Sequence, residues 1–274
     1  MNLSAELSRD EYYDFVSKYV PSIYEQFALA DNRFKKDTYY SHICQTRCFL
    51  TYREIRRKFS TGDKVVDLGM YPGTFLRQLK TLLGDDILCY GVGHKIDNKF
   101  KEYMGEYLKD CADIELDPFY LKSTEKVRIP FESNTFKFVV ATEILEHLIS
   151  PLELIAEGSR ILKTGGLFII TTPNVSHIGA VLRMLAGKSN YERLHRSPMY
   201  LQNDPWRGHI RFYDKKELIT LFNEQKCKLV RHSYYREDNW NRWNIPIYKK
   251  IIRGIAHLIP IYREGHFAVF QKTN

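Results

Sequence analysis

No apolar run in the sequence approaches the roughly 18 residues of a membrane-crossing helix, so no membrane span is expected. The first residues, Met1-Asn2-Leu3-Ser4-Ala5-Glu6, place an acid early and no apolar stretch behind a basic start, so no secretory signal is expected either. Cysteine is scarce: Cys44, Cys48, Cys89, Cys111 and Cys227 make an odd five without framework spacing. That argues against a disulfide scaffold and suits reduced thiols in a cytoplasmic protein. Cys44 and Cys48 stand one helical turn apart, but no third cysteine completes a cluster motif. Internal repeats and low-complexity tracts are also lacking, so the chain reads as globular throughout.

What is present is an ordinary globular composition. Hydrophobic residues fill 44% of the 274 positions and charged residues 27%, enough apolar volume for a sizeable core. Lys plus Arg exceed Asp plus Glu by 41 to 33, a net +8. From Arg231 onward there are eight basic residues and three acids, so this segment supplies five of the eight excess charges. Such a surface attracts anions, whether phosphates, nucleic acid or acidic lipid. A solvated basic face is the plainer reading of most of these residues.

Two regions follow from the pattern: an N-terminal helical extension over residues 1–60, and a domain over 61–274 with a lid insertion at about 174–212. Glu11 to Tyr19 and Tyr39 to Phe59 carry apolar residues at spacings of three and four without Gly or Pro, which predicts helices. After Thr61-Gly62-Asp63 the chain alternates short β-rich runs with helical stretches, the pattern of βαβ units and a parallel sheet. Strands are expected at Lys64–Leu68, Ile87–Val92, near Cys111–Glu115, at Phe136–Ala141 and at Leu167–Thr172. Helices are expected near Thr74–Leu83, Asn98–Leu108 and Pro151–Leu162, the last closed by Gly165-Gly166 as a C-cap. Beyond Pro173 come a short helix at Ile178–Ala186, then a helix capped by Asp214 with Glu217 in capping-box position, running to Glu224. A strand at Lys228–Tyr235, a helix at Ile247–Leu258 and a strand at Phe267–Gln271 complete the chain.

The most informative stretch is Val65-Val66-Asp67-Leu68-Gly69-Met70-Tyr71-Pro72-Gly73-Thr74-Phe75, an apolar strand that runs through Asp-x-Gly into a tight turn and a helix start. Gly69 can take backbone angles closed to other residues, and Gly73 lets the helix pack close to the strand. Helix-start N–H groups suit a carboxylate, and an acid at the strand end suits an ammonium. A ligand with both groups is an amino acid or a derivative of one. Plain turn chemistry explains the two glycines as well. The dinucleotide fingerprint is not met, because Tyr71 stands where its central glycine would be.

A second set of motifs follows in order: Phe136-Lys137-Phe138-Val139-Val140-Ala141-Thr142-Glu143-Ile144-Leu145-Glu146-His147-Leu148, then Arg160-Ile161-Leu162-Lys163, Gly165-Gly166, and Thr171-Thr172-Pro173-Asn174. With the later His209-Ile210-Arg211-Phe212-Tyr213, they resemble the class I S-adenosylmethionine-dependent methyltransferases, and among them small-molecule enzymes of polysaccharide or lipid biosynthesis. The likeness spans about Lys64 to Val230. It implies an α/β Rossmann-like fold with a seven-stranded, mostly parallel sheet of order 3-2-1-4-5-7-6, strand 7 antiparallel and helices on both faces. It also implies S-adenosylmethionine as cofactor, over the carboxyl ends of strands 1 and 4. By the same resemblance Asp67, Gly69, Tyr71 and Gly73 would surround the amino-acid part of the cofactor. Asp113 and Ile114 would lie beside adenine, and Thr142 and Glu143 would follow the fourth strand near cofactor and substrate.

Two departures stand out. Gly93 occupies the place where the family has an acid for the ribose hydroxyls, with His94 and Asp97 as candidate substitutes. Tyr120 to Arg128 reads as an insertion after the third strand.

Methyl transfer to oxygen requires loss of a proton, for which histidine suits neutral pH. His147, four residues after Glu143, is the first catalytic candidate, and a packing role is equally open. His209 is the second, with Arg211 and Tyr213 as substrate-binding candidates, although His209 and Arg211 could equally tie the lid to the core. His177 and His195 read as surface residues of the lid. Glu143, Glu146 and His147 form no recognised ligand set, so no metal is expected.

The expected acceptor is a sugar, a glycan or a lipid-linked small molecule. Asp67-x-Gly69-x-x-Pro72-Gly73 is also similar to ribose 2′-O-methyltransferases of ribosomal RNA, but their aspartate after the fourth strand is replaced by Ala141-Thr142-Glu143, so nucleic acid is not the expected partner. A methyltransferase-like binding scaffold is the third reading, motivated by Gly93. The helix Ile247–Leu258, preceded by Trp240 and Trp243, reads first as packed on the sheet and alternatively as a peripheral membrane contact.

Overall fold

The computed structural model describes residues 6–20, 45–94, 96–116, 126–190, 209–236 and 247–274, with the backbone alone at 247–250 and 253. Cys44, the stretch 120–125, His195, Trp240, Trp243 and residues 191–208 of the expected lid lie outside the described residues. The elements in chain order are α1 (Arg9–Tyr19), α2 (Gln45–Lys58), β1 (Asp63–Leu68), α3 (Thr74–Leu83), β2 (Ile87–Gly93), α4 (Asn98–Met104), β3 (Asp110–Asp113) and β4 (Phe136–Thr142). They continue with α5 (Pro151–Ile161), β5 (Leu162–Pro173), α6 (Ile178–Leu185), α7 (Lys215–Glu224), β6 (Cys227–Tyr235), α8 (Ile247–Leu258) and β7 (Gly265–Lys272). The seven strands form one sheet in the order β3-β2-β1-β4-β5-β7-β6. The β1–β2, β1–β4, β2–β3 and β4–β5 pairs are parallel, and β7 runs antiparallel to both β5 and β6. No described helix is long and apolar enough to cross a membrane.

The central strands are apolar on both faces because helices cover both. Val65, Phe138, Val140, Leu167 and Ile169 share one core with Tyr12 of α1, Tyr52 and Ile55 of α2, and Leu76 and Leu79 of α3. Their neighbours Val66, Val139, Ala141, Phe168 and Ile170 share the other core with Leu154 and Ile155 of α5 and Leu218 and Phe222 of α7. Each such large side chain contributes roughly 2–3 kcal/mol on full burial. The alternation sets the register, since a slip of one residue would exchange the two cores.

Two sequence expectations change. Gly165-Gly166 does not cap α5, which ends at Ile161 with Leu162 already extended (φ −72°, ψ 136°). Leu162 pairs with Phe136 and Leu167 with Phe138, so Lys163–Gly166 fall in a register shift where Gly165 takes its positive φ of 74°. The glycines thus serve a bulge and not a cap. The helix expected to reach Leu108 stops at Met104, where Gly105 interrupts it. The capping box at the start of α7 is present as read: Asp214 accepts from the Lys216 and Glu217 N–H groups, and Glu217 accepts from Asp214 N–H.

Candidate functional site

Strand order reverses direction between β1 and β4, so the loops leaving their carboxyl ends part and leave a crevice. On the β1 side, Asp67, the next-to-last residue of its strand, is 3% exposed, and its Oδ1 is buried without a hydrogen-bond partner. Burial pushes this carboxyl up to about 8. Gly69 follows with φ 84°, and a Cβ added there would strike the Ile144 side chain, just beyond β4. The two strand ends therefore meet, and only glycine fits at the crossing. Tyr71 is exposed and its ring packs on Phe100 of α4 at 5.4 Å. Gly73, φ 86°, starts α3, whose first turn has neither a side-chain cap nor an acid. No acid of the helix's own first turn offsets the positive end of its dipole.

At the end of β2, Gly93 O accepts a hydrogen bond from Ile114 N–H at 2.8 Å, which joins the expected ribose and adenine positions. A Cβ on Gly93 would lie 3.5 Å from Ile96 Cδ1 and 3.7 Å from the Met70 and Tyr71 nitrogens, ordinary contact distances. Neither candidate substitute supplies a ready carboxylate there. Asp97 is engaged as N-cap of α4, accepting from Phe100 N–H at 2.7 Å, and His94 lies 3.9 Å from Asp113.

Beyond β4, Thr142 is half-buried and Glu143 adopts φ 53°, unusual for a residue with a side chain. Its Oε1 accepts from Tyr235 O–H at 2.9 Å, and its Oε2 lies 3.3 Å from Arg47 of α2. Arg47 and Tyr235 carry no motif in the sequence, and only the fold brings them here. Glu143 and His147 do not lie on one helical turn as expected, because Leu145–His147 form a 3₁₀ turn after the left-handed residue. The partner of His147 is instead His209, with ring centroids 4.8 Å apart. Glu146 O holds that approach by accepting from Ile210 N–H at 2.7 Å and Arg211 N–H at 3.3 Å.

Glu146 itself is fully buried, with Oε2 accepting from Thr172 O–H at 3.0 Å and Oε1 without a hydrogen bond. Burial, then the nearby Glu143, raise its carboxyl well above the usual range. Arg211, expected to meet substrate, pairs with Glu217 at 2.6 Å. Tyr213, expected in the same role, is fully buried and donates its hydroxyl to Leu145 O at 3.0 Å, so it positions the 3₁₀ turn and cannot touch a substrate. His177, expected at the surface, stands at the N-cap position of α6 and is partly buried.

Residues 40–232 match the family described as a methyltransferase domain, which is more than half of the 274 residues. The chain belongs to that family. Among solved structures, a methyltransferase of Haloferax volcanii in complex with the Trm112 methyltransferase activator is similar at 15% identity and TM-score 0.55, over 92% of this chain and 96% of that one. A S-adenosylmethionine-dependent methyltransferase of Thermotoga maritima is similar at 13% identity and TM-score 0.53, over 91% and 98%. Another, of Mesorhizobium loti, is similar at 12% identity and TM-score 0.52, over 82% and 97%. Comparison with curated proteins returns no match. The motifs of the sequence imply S-adenosylmethionine as the donor for this methyltransferase domain. The β1–β4 rim fits that donor: an unmatched acid oxygen suits the ammonium, a helix start without an acid in its first turn suits the carboxylate, and a bare glycine turn admits both.

Proposed function

We propose that this methyltransferase transfers its methyl group to an oxygen of a sugar, glycan or lipid-linked small molecule. The carrying observation is the His147–His209 pair, two half-buried imidazoles 4.8 Å apart, with His147 on the 3₁₀ turn that follows β4 and His209 on the segment before α7. An oxygen acceptor must lose its proton, and imidazole is the side chain suited to assist near neutral pH.

S-adenosylmethionine supplies an electrophilic methyl on sulfonium; positioning and water exclusion fall to the protein. In this reading Asp67, Gly69, Tyr71 and Gly73 hold the amino-acid end of the donor, and Gly93, Asp113 and Ile114 line the adenosine end. Thr142 and Glu143 close the side toward the acceptor, with Glu143 held by Arg47 and Tyr235. His147 and His209 assist the acceptor's hydroxyl, while Arg211 lies at the outer edge in its pair with Glu217.

Two observations support the lipid-linked class. Helices α6 and α8 pack against each other, and they leave Leu185 and Leu258 each 79% exposed with Met184 and Ile251 also exposed. The basic surplus from Arg231 onward suits a phosphate-bearing acceptor at the same time. The test is incubation with methyl-labelled donor and fractionated cell lysate. Alkali-stable label in glycan or lipid fractions is the expected result; label in RNA, or on nitrogen, rejects the proposal.

A further inference from the structure

Sequence places Glu143, Glu146 and His147 together and suggests no ligand set. The fold selects a different trio, because Glu143 turns to Arg47 and Tyr235 while His209 arrives from 62 residues downstream. Glu146, His147 and His209 each bring one ligand atom to a common point, all within 4.8 Å of one another. Glu146 Oε1 and His147 Nε2 are 3.8 Å apart. We propose that this trio is a binding site for a divalent transition-metal ion such as Mn²⁺ or Zn²⁺.

Three observations carry the proposal. The first is the donor set, two imidazoles and one carboxylate, which suits borderline divalent ions better than Mg²⁺. The second is the buried oxygen. Glu146 is 0% exposed, its Oε2 is satisfied by Thr172, and its Oε1 faces His147 without a hydrogen bond. A buried acceptor left in that state is destabilising, and a cation at the trio's centre removes the deficit.

The third observation is the scaffold. Glu146 sits on a turn fixed by Tyr213 O–H to Leu145 O, and the His209 segment is fixed to that turn by the Ile210 and Arg211 N–H bonds to Glu146 O. The three ligands are thus held by main-chain contacts that do not depend on an ion. Ligands about 2.1 Å from a common ion stand roughly 3–3.4 Å apart, so closure requires the imidazoles to draw in by about 1 Å. The buried carboxylate forms the floor and the half-buried imidazoles the walls, which leaves further coordination positions toward the outside. An imidazole nitrogen that ligates an ion cannot also take a proton, so with the ion bound the acceptor's oxygen would be activated by the ion in place of the two histidines. That role rests on the function proposed above, and the binding itself does not.

The experiment is calorimetric titration of metal-free protein with MnCl₂ and with ZnCl₂, alongside His209→Asn and Glu146→Gln, with S-adenosylhomocysteine binding measured on each. One ion per chain is expected for the wild type. Affinity should fall at least tenfold in each variant, while S-adenosylhomocysteine affinity stays within about twofold. Should Glu146→Gln fail to fold, His209→Asn decides alone, since that side chain is at the edge. No saturable binding by the wild type, or equal binding by wild type and variants, overturns the site. Loss of S-adenosylhomocysteine binding by the wild type would overturn the function proposed above and leave the metal result standing.

Discussion

At the scale of single residues, the site combines groups the sequence makes plain with groups it conceals. Asp67, Gly69 and Gly73 were legible because a strand, a turn and a helix start are local events, each written in adjacent residues. Tyr213, expected to meet substrate, is buried, which the sequence hides because its partner Leu145 O lies 68 residues away and depends on how the 3₁₀ turn docks. The exposed Arg211, by contrast, pairs with Glu217 and keeps either of its expected roles. Gly93 is the residue whose meaning the structure sharpens most. The space beside it is open at ordinary contact distance, so the missing acid is not a steric requirement. Gly93→Asp should therefore restore an acceptor for ribose hydroxyls. A charge-assisted hydrogen bond is worth about 1.5–3 kcal/mol, and S-adenosylhomocysteine should bind about tenfold more tightly by calorimetry. Unchanged or weaker binding would mean that the ribose does not pass this position.

At the scale of elements, the boundaries of α3 matched their expectation, and the start of β5 did not. Helix α3 begins after Gly73 and ends at Gly84, both with positive φ, as the residues suggest. Strand β5 instead starts five residues before the expected Leu167, because Leu162 pairs with Phe136 across a register shift that only β4 can specify. The contact between the 3₁₀ turn and the segment before α7 is equally non-local, and it hangs on few bonds. Tyr213→Phe removes the hydroxyl donor to Leu145 O while keeping the ring packed. The loss should be about 1–2 kcal/mol, read as a drop of a few degrees in Tm. Because the turn carries His147 and the bond does not reach the β1 rim, kcat should fall while S-adenosylhomocysteine affinity holds. A parallel fall in that affinity would show that the two sides of the crevice are not separable.

At the scale of the whole molecule, buried titratable groups of opposite sign oppose each other along the pH axis. His232 and His266 lie side by side across β6 and β7, Nε2 to Nδ1 at 3.0 Å, with His266 also bonded to Tyr213 O and with Asp214, Glu143 and Lys215 nearby. Burial lowers both to about 4, so they stay neutral in the folded chain. Their contribution is complete above about pH 6.5, where the unfolded chain has also lost those protons, and it declines as pH falls toward 4. Asp67 acts the other way. Its folded carboxyl is raised to about 8 against about 3.9 unfolded, so its contribution is complete below pH 4 and is lost as pH rises toward 8.

Glu146 shifts in the same direction as Asp67. Above pH 6.5 the histidines no longer compensate, and the ligand-free protein should lose about 2 kcal/mol to Asp67 alone by pH 8. That corresponds to roughly 5 °C in Tm. Saturating S-adenosylhomocysteine should flatten this alkaline limb, since its ammonium favours the ionised Asp67, and its binding near pH 7 should release protons to the buffer. Asp67→Asn should flatten the same limb without ligand while weakening S-adenosylhomocysteine binding at least tenfold. Thermal melts at half-unit pH steps, with calorimetry in buffers of different ionisation enthalpy, give both readings. An alkaline limb equally steep in Asp67→Asn would show that Asp67 does not carry it, and binding without proton release would place the acid away from the donor's ammonium.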